Sequence, residues 1–205
     1  MVGFYNYTVI LTYVSLISSV VGITFALDGH IDTALACMLF SGFCDCFDGK
    51  IARTRKRTEE EKRFGIQIDS LCDLVCFGVF PAVLGHCIGM SSPWQVAILA
   101  LYVLAGVIRL AYFNVTEEIR QNSTDAVRDF YLGLPITTSA LLVPLAFLAE
   151  PMMSSHNFTL FFSAYLALIG FLFIAPVRVP KPHGKGMYAM VAAGVVLISC
   201  LSLLR

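Results

Sequence analysis

The residues of this chain best suited to chemistry are four aspartates, Asp45, Asp48, Asp69 and Asp73, in the stretch from Phe43 to Phe80. Asp45 and Asp48 are three positions apart, and Asp69 and Asp73 are four apart. On helices, either spacing puts a pair on one face. The flanking sequence is strongly apolar, and an ionised carboxylate held there without a partner is costly. Four of them facing one another require positive charge between them, and a divalent metal site is the simplest source. The stretch contains no histidine, so hard cations such as Mg2+ or Mn2+ suit it better than zinc. Four carboxylates can hold two such ions, an arrangement suited to displacement at phosphorus.

The neighbours of the aspartates fit the same chemistry. Gly49 directly follows Asp48 and leaves room for a phosphate or a backbone to approach; Ala52 is also small. Arg53 lies one helical turn beyond Gly49, and its guanidinium can grip phosphate oxygens bidentately. Gly65, before Asp69, offers a second point of close approach. Metal, arginine and glycine together describe a pyrophosphate site at a membrane surface. The cysteines Cys44, Cys46, Cys72 and Cys76 lack the usual knuckle spacing of a zinc site and read as small buried hydrophobes.

The elements that position these residues are expected to be membrane-spanning helices. Hydrophobic residues make up 58% of the 205 and charged residues 14%, with a mean hydropathy of +0.78. A soluble domain has about 45–50% apolar and about 25% charged residues. Apolar segments of spanning length run from Thr8 to Leu27, from about Asp32 through Asp48 toward Arg53, from Asp69 to about Met90, and from Pro93 to Phe113. Three more cover Leu134 to Ala149, Phe158 to Ala175 and Met187 to Leu204. The charged run TRKRTEEEKR reads as a solvated loop, Asn114 to Tyr131 as a surface helix, and VRVPKPHGKG as a loop. With alternating spans, Lys50 to Arg63, Arg109 to Arg128 and Arg178 to Lys185 fall on one side, and the intervening loops carry no Lys or Arg. The positive-inside rule then puts the N-terminus and the aspartates on the cytoplasmic side and the C-terminus outside.

Asp45-x2-Asp48-Gly49-x2-Ala52-Arg53 followed by Gly65-x3-Asp69-x3-Asp73 resembles the motif of the CDP-alcohol phosphotransferase family. Within it, FGIQIDSLCDLVCFGVFPA, RLAYFN and YLGLP resemble the phosphatidylserine synthase branch. The resemblance covers residues 8 to 180. The gap between Arg53 and Gly65 is longer than is usual in the family. Ser15 and Ser19 stand where the branch commonly has Asn and Gly. The resemblance implies an all-α polytopic membrane protein, with a six-helix core and a seventh transmembrane helix at about 187–204, in a single catalytic domain spanning 1–205. It implies that Asp45, Asp48, Asp69 and Asp73 bind two metals and that Asp73 is also the general base. Gly49, Ala52, Arg53 and Gly65 would hold CDP-diacylglycerol. A homodimer, and a prokaryotic inner membrane with the active site facing the cytoplasm, are further expectations; nucleic acid is not an expected partner.

The acceptor is read from elsewhere. L-serine brings a carboxylate that needs a cation, and Arg109 with Phe113 one turn on supplies a cation and an aromatic face; an interfacial snorkelling arginine is the plain alternative. Glycerol 3-phosphate or inositol would use the same aspartates. A cation transporter would also use intramembrane carboxylates, but has no need of Arg53 and the close-packed glycines.

Overall fold

The computed structural model of the chain describes residues 3–52, 54–123, 130–180 and 192–200. Arg53, the basic residues Lys181 and Lys185, and both ends of the expected seventh span lie outside the described residues. Helix α1 (Ile10–Leu27) is entered through a 3-10 turn at Tyr7–Val9. The Asn6 side chain caps that turn, accepting from the Thr8 amide at 3.0 Å. Helix α2 (Ile31–Ala52) follows after a tight turn, then α3 (Glu59–Cys87), α4 (Pro93–Ser123), α5 (Ser139–Phe147) and α6 (Ser155–Ile174). Residues 192–200 are helical.

Tyr7–Leu27, Glu59–Cys87, Pro93–Arg120 and Ser155–Ile174 are long and apolar enough to cross a membrane, and the chain is an integral membrane protein. Helix α2 has the length, at 22 residues, but carries Asp32, Asp45, Asp48 and Lys50. The apolar segment around α5, Ile136–Met152, is shorter. Helix α1 packs along α2, and α4 along α6. The core between them is aromatic and aliphatic, with Phe77, Phe80, Leu84, Tyr102, Phe147, Phe162 and Phe173 fully buried. Between α1 and α2 the small residues Ser15, Ser19 and Ser41 allow close approach and bond one another, at 2.6 Å for Ser15–Ser41 and 2.9 Å for Ser19–Ser41. Such hydroxyl contacts hold helices together where lipid removes the hydrophobic drive.

Four segments differ from the sequence reading. TRKRTEEEKR is not all loop: Thr58 caps α3, accepting from the Glu61 amide at 3.2 Å while Glu61 accepts from the Thr58 amide at 3.1 Å. This reciprocal cap starts the helix at Glu59, so Asp69 and Asp73 sit in its interior and not in its first turns. Helix α4 does not end at Phe113 but continues to Ser123, with its polar end stiffened by Arg120–Glu117 at 2.6 Å. The fifth helix begins at Ser139, after a 3-10 turn at Ile136–Thr138. Pro135 precedes that turn in an extended conformation. Lastly, Phe130–Leu132 pairs antiparallel with Arg178–Pro180. Gly133 follows this pair at φ +77°, where an added Cβ would lie 2.4 Å from the Phe173 carbonyl oxygen. Only glycine suits both the backbone and the space.

Immediately after Asp73, α3 widens into a π-helical stretch at Leu74–Val79. Pro81 has no N–H to offer the Phe77 carbonyl four residues earlier. The Tyr102 hydroxyl of α4 replaces it, donating to the Phe77 oxygen at 2.8 Å. Ser139 lies 2.9 Å from the same hydroxyl, so this junction joins α3, α4 and α5.

Candidate functional site

Helices α2 and α3 bring their aspartates together. One carboxylate oxygen from each of Asp45, Asp48 and Asp69 lies within 4.8 Å of the others. Asp73, one turn beyond Asp69 on α3, is near enough to Asp45 and Asp69 to interact with both electrostatically. Asp48 stands in the same relation to Asp69. All four are half-buried. Among the described residues, no Lys, Arg or His forms an ion pair with any of them; the ion pairs are Arg55–Glu61, Lys62–Glu59 and Arg120–Glu117. Two unit negative charges within 4.8 Å of each other repel by about 3 kcal/mol or more at an effective dielectric constant of about 20, and here four carboxylates are gathered. An all-oxygen donor set with uncompensated charge fits a hard divalent cation. Asp45, Asp48 and Asp69 could hold one directly. The Thr12 hydroxyl of α1 donates to Asp48 Oδ2 at 3.2 Å and orients that carboxylate.

Two cavities adjoin the cluster on different sides. The first, of about 140 Å3, is the more polar of the two and lies between the start of α1, the end of α2 and α3. Thr8, Thr12, Asp48, Gly49, Arg57, Gly65 and Asp69 contribute to its walls. A Cβ built on Gly49 would meet no protein atom within 4 Å, and one on Gly65 would come within 3.1 Å of Arg57 Nη1. Gly49 therefore borders open space that a ligand could use, while the absence of a side chain at Gly65 leaves room for the Arg57 guanidinium. Ala52 is the last residue of α2, and Arg53 lies outside the described residues.

The second cavity, of about 280 Å3, is apolar and runs from Asp45 between α2, α5 and the helical residues 192–200. Leu39, Phe40, Phe43, Ala140, Val195 and Ile198 form much of it. Its rim continues onto exposed apolar side chains, with Phe40, Phe43, Val195 and Ile198 all outward.

Arg109 and Phe113 are together on α4 but line neither cavity. The Arg109 side chain is buried, its Nε donates to the Leu134 carbonyl at 3.1 Å, and its guanidinium lies 5.3 Å from the centre of the Phe113 ring. Phe113 in turn meets Tyr131, with 5.8 Å between ring centres. RLAYFN and YLGLP are thus in contact. Helices α3 and α4 run antiparallel there: Asn114 bonds Ser70 at 2.8 Å, and Gly106 and Gly78 both face Ile136. That register sets Arg109 level with the turn of α3 just beyond Asp73.

Sequence reasoning missed Thr12, Arg57 and the contribution of residues 194–198. Thr12 carried no signal, because hydroxyls are common in membrane helices. Arg57 was hidden in a run of charges most of whose other members are exposed.

An all-helical membrane protein with a cluster of carboxylates between a polar and an apolar cavity is the class that fold and site define. The model of the CDP-alcohol phosphatidyltransferase family matches residues 5–175, and the chain belongs to that family. Among similar proteins, the CDP-diacylglycerol–serine O-phosphatidyltransferase of Saccharomyces cerevisiae is 41% identical over 104 residues, covering 50% of this chain and 37% of that protein. The protein of the same name from Helicobacter pylori is 33% identical over 153 residues, 72% of this chain and 61% of its own. The archaetidylserine synthase of Methanothermobacter thermautotrophicus is 30% identical over 175 residues, 82% of this chain and 67% of its own. The chain thus spans between about a third and two thirds of the length of these relatives.

Proposed function

We propose that the protein transfers the phosphatidyl group of CDP-diacylglycerol to the hydroxyl of L-serine, giving phosphatidylserine and CMP. One observation supports this above others: the aspartates stand between a polar cavity, lined by Asp48 and Asp69, and an apolar groove, lined by Asp45. A substrate with a nucleotide at one end and two acyl chains at the other needs such a junction, with its pyrophosphate at the carboxylates. Serine as acceptor is supported by the names of these relatives, each of which includes serine.

In this reading Asp45, Asp48, Asp69 and Asp73 hold two divalent ions, Mg2+ or Mn2+. Such ions, when bound, neutralise charge on the pyrophosphate and on the departing nucleotide. Gly49, Ala52, Arg53 and Gly65 accommodate the CDP half of the donor. Asp73 accepts the proton of the serine hydroxyl as its oxygen bonds to the phosphorus bearing the diacylglycerol and the bond to the CMP oxygen breaks. Its α3 neighbours lie in the π-helical stretch, a distortion frequent at functional sites. Arg109, level with this turn, pairs with the serine carboxylate, and Phe113 flanks it. The active site faces the cytoplasm, with the N-terminus inside and the C-terminus outside, and the protein works as a homodimer.

The test is an acceptor panel with purified protein. CDP-diacylglycerol with serine should release CMP only when Mg2+ or Mn2+ is present, and Asp73→Asn should abolish release. Preference for glycerol 3-phosphate or inositol would replace the acceptor. Metal-dependent cation flux without CMP release would overturn the enzyme reading.

A further inference from the structure

We propose that Arg57 is a substrate-binding residue of the polar cavity and grips the phosphate that leaves with the nucleotide, an inference that rests on the functional reading above. Arg57 lies in residues 54–58, within the long connection between Arg53 and Gly65. Three neighbouring cations among the described residues are engaged elsewhere or exposed. Arg55 bonds Glu61 at 3.3 Å, Lys62 bonds Glu59 at 2.6 Å, and Lys56 is exposed. Arg57 instead turns inward. Its side chain is half-buried, lines the cavity with Asp48, Gly49 and Asp69, and brings Nη1 within 3.1 Å of the point where a Gly65 Cβ would stand. Among the described residues it has neither ion pair nor hydrogen bond to its guanidinium. A planar, permanently charged donor fork that is partly withdrawn from water and has no counter-ion is suited to an anionic ligand.

The backbone around Arg57 is fixed, so the inward turn has a cause. Thr58 next to it is locked by the reciprocal cap with Glu61. Glu61 also accepts from Asn6 Nδ2 at 3.3 Å and from Arg55 Nη2 at 3.3 Å. The Tyr7 hydroxyl lies 3.1 Å from Thr54 Oγ1, and Phe4 packs edge-on against Phe64 with ring centres 5.5 Å apart. The segment before α1 thus ties down both ends of the connection, and Arg57 is held over the cavity.

The phosphate can be assigned by direction. The apolar groove leaves the carboxylates on the Asp45 side, while the polar cavity lies on the Asp48 and Asp69 side. A lipid along the groove places its own phosphate at the carboxylates and the nucleotide phosphate farther into the polar cavity. Arg57 therefore holds the phosphate that CMP retains. Acceptor binding, on the α4 side, should be indifferent to it.

Full-length Arg57→Ala, Arg57→Gln and Arg57→Lys proteins in mixed micelles test this. Alanine and glutamine should raise the KM for CDP-diacylglycerol and the inhibition constant of CMP by about tenfold or more, equivalent to about 1.4 kcal/mol. Lysine, a point charge without the fork, should fall between. The KM for serine and the half-activating Mn2+ concentration should stay within about twofold, and so should melting temperatures within a degree or so. Unchanged CDP-diacylglycerol KM and CMP inhibition in folded alanine and glutamine variants would overturn the assignment. Equal losses for donor, serine and metal would do the same, reducing Arg57 to a structural part. If alanine does not fold, glutamine and lysine decide on the same readouts. A wild-type protein that neither releases nor binds CMP would instead overturn the functional reading, and this inference with it.

Discussion

The Thr12 hydroxyl reaches from α1 to Asp48 at 3.2 Å, and through it a helix without any charged residue takes part in the carboxylate cluster. Outer partners of this kind typically change metal affinity by about 10–100-fold when removed. Thr12→Val should therefore raise the half-activating Mg2+ or Mn2+ concentration by about tenfold, with saturating metal restoring most of the rate. Activity lost equally at all metal concentrations would show that Thr12 serves something else. Arg109 poses a different question, since its Nε already serves the Leu134 carbonyl at 3.1 Å. If the rest of the guanidinium meets the serine carboxylate, Arg109→Ala should raise the KM for serine about tenfold or more and that for CDP-diacylglycerol little. A parallel rise in both would leave Arg109 as a packing residue. The aspartates were legible in the sequence because buried carboxylates at helical spacing have few other uses. Thr12 and Arg57 were not, because their residue types carry no information until the fold aims them.

At the scale of elements, the most consequential feature is the π-helical stretch after Asp73. It puts an extra residue in the turn and so rotates the upper part of α3 relative to the aspartate face. Pro81 and Tyr102 together maintain it, one by withholding a donor and the other by supplying it at 2.8 Å. Tyr102→Phe leaves the buried Phe77 carbonyl unsatisfied, at a cost of about 1–3 kcal/mol. The expected result is a lower melting temperature in detergent together with reduced turnover, as the register of Asp73 loosens. Full stability in Tyr102→Phe would mean that another donor covers the Phe77 oxygen. Four of the seven expected spans are helices long and apolar enough to cross a membrane, but their ends were not readable from hydropathy. The start of α3 had a signature in Thr58-x2-Glu61, overshadowed by the charges around it. The pairing of Phe130–Leu132 with Arg178–Pro180 joins segments distant in sequence, and no local pattern announces it.

For the whole molecule, orientation is the property that basic residues predicted and that labelling can check. In a background lacking the native cysteines, Lys56→Cys and Glu118→Cys, both at exposed positions, should react only with reagent added from the cytoplasmic side. Met152→Cys, at a position 86% exposed, should react only from the other side. Labelling of Glu118→Cys from outside alone would invert the topology and move the carboxylates across the membrane.

The apolar groove beside Asp45 has a kinetic consequence. Because its rim merges with the outward faces of Phe40, Phe43, Val195 and Ile198, a lipid can reach the carboxylates sideways from the bilayer and depart the same way, with its acyl chains never crossing water. The concentration that governs encounter is then two-dimensional. Diluting CDP-diacylglycerol with inert lipid at constant bulk amount should slow the reaction, while diluting the whole suspension with buffer should hardly change the rate per protein. The enzyme would read the composition of its own leaflet, and the bilayer, more than the surrounding water, would be its solvent.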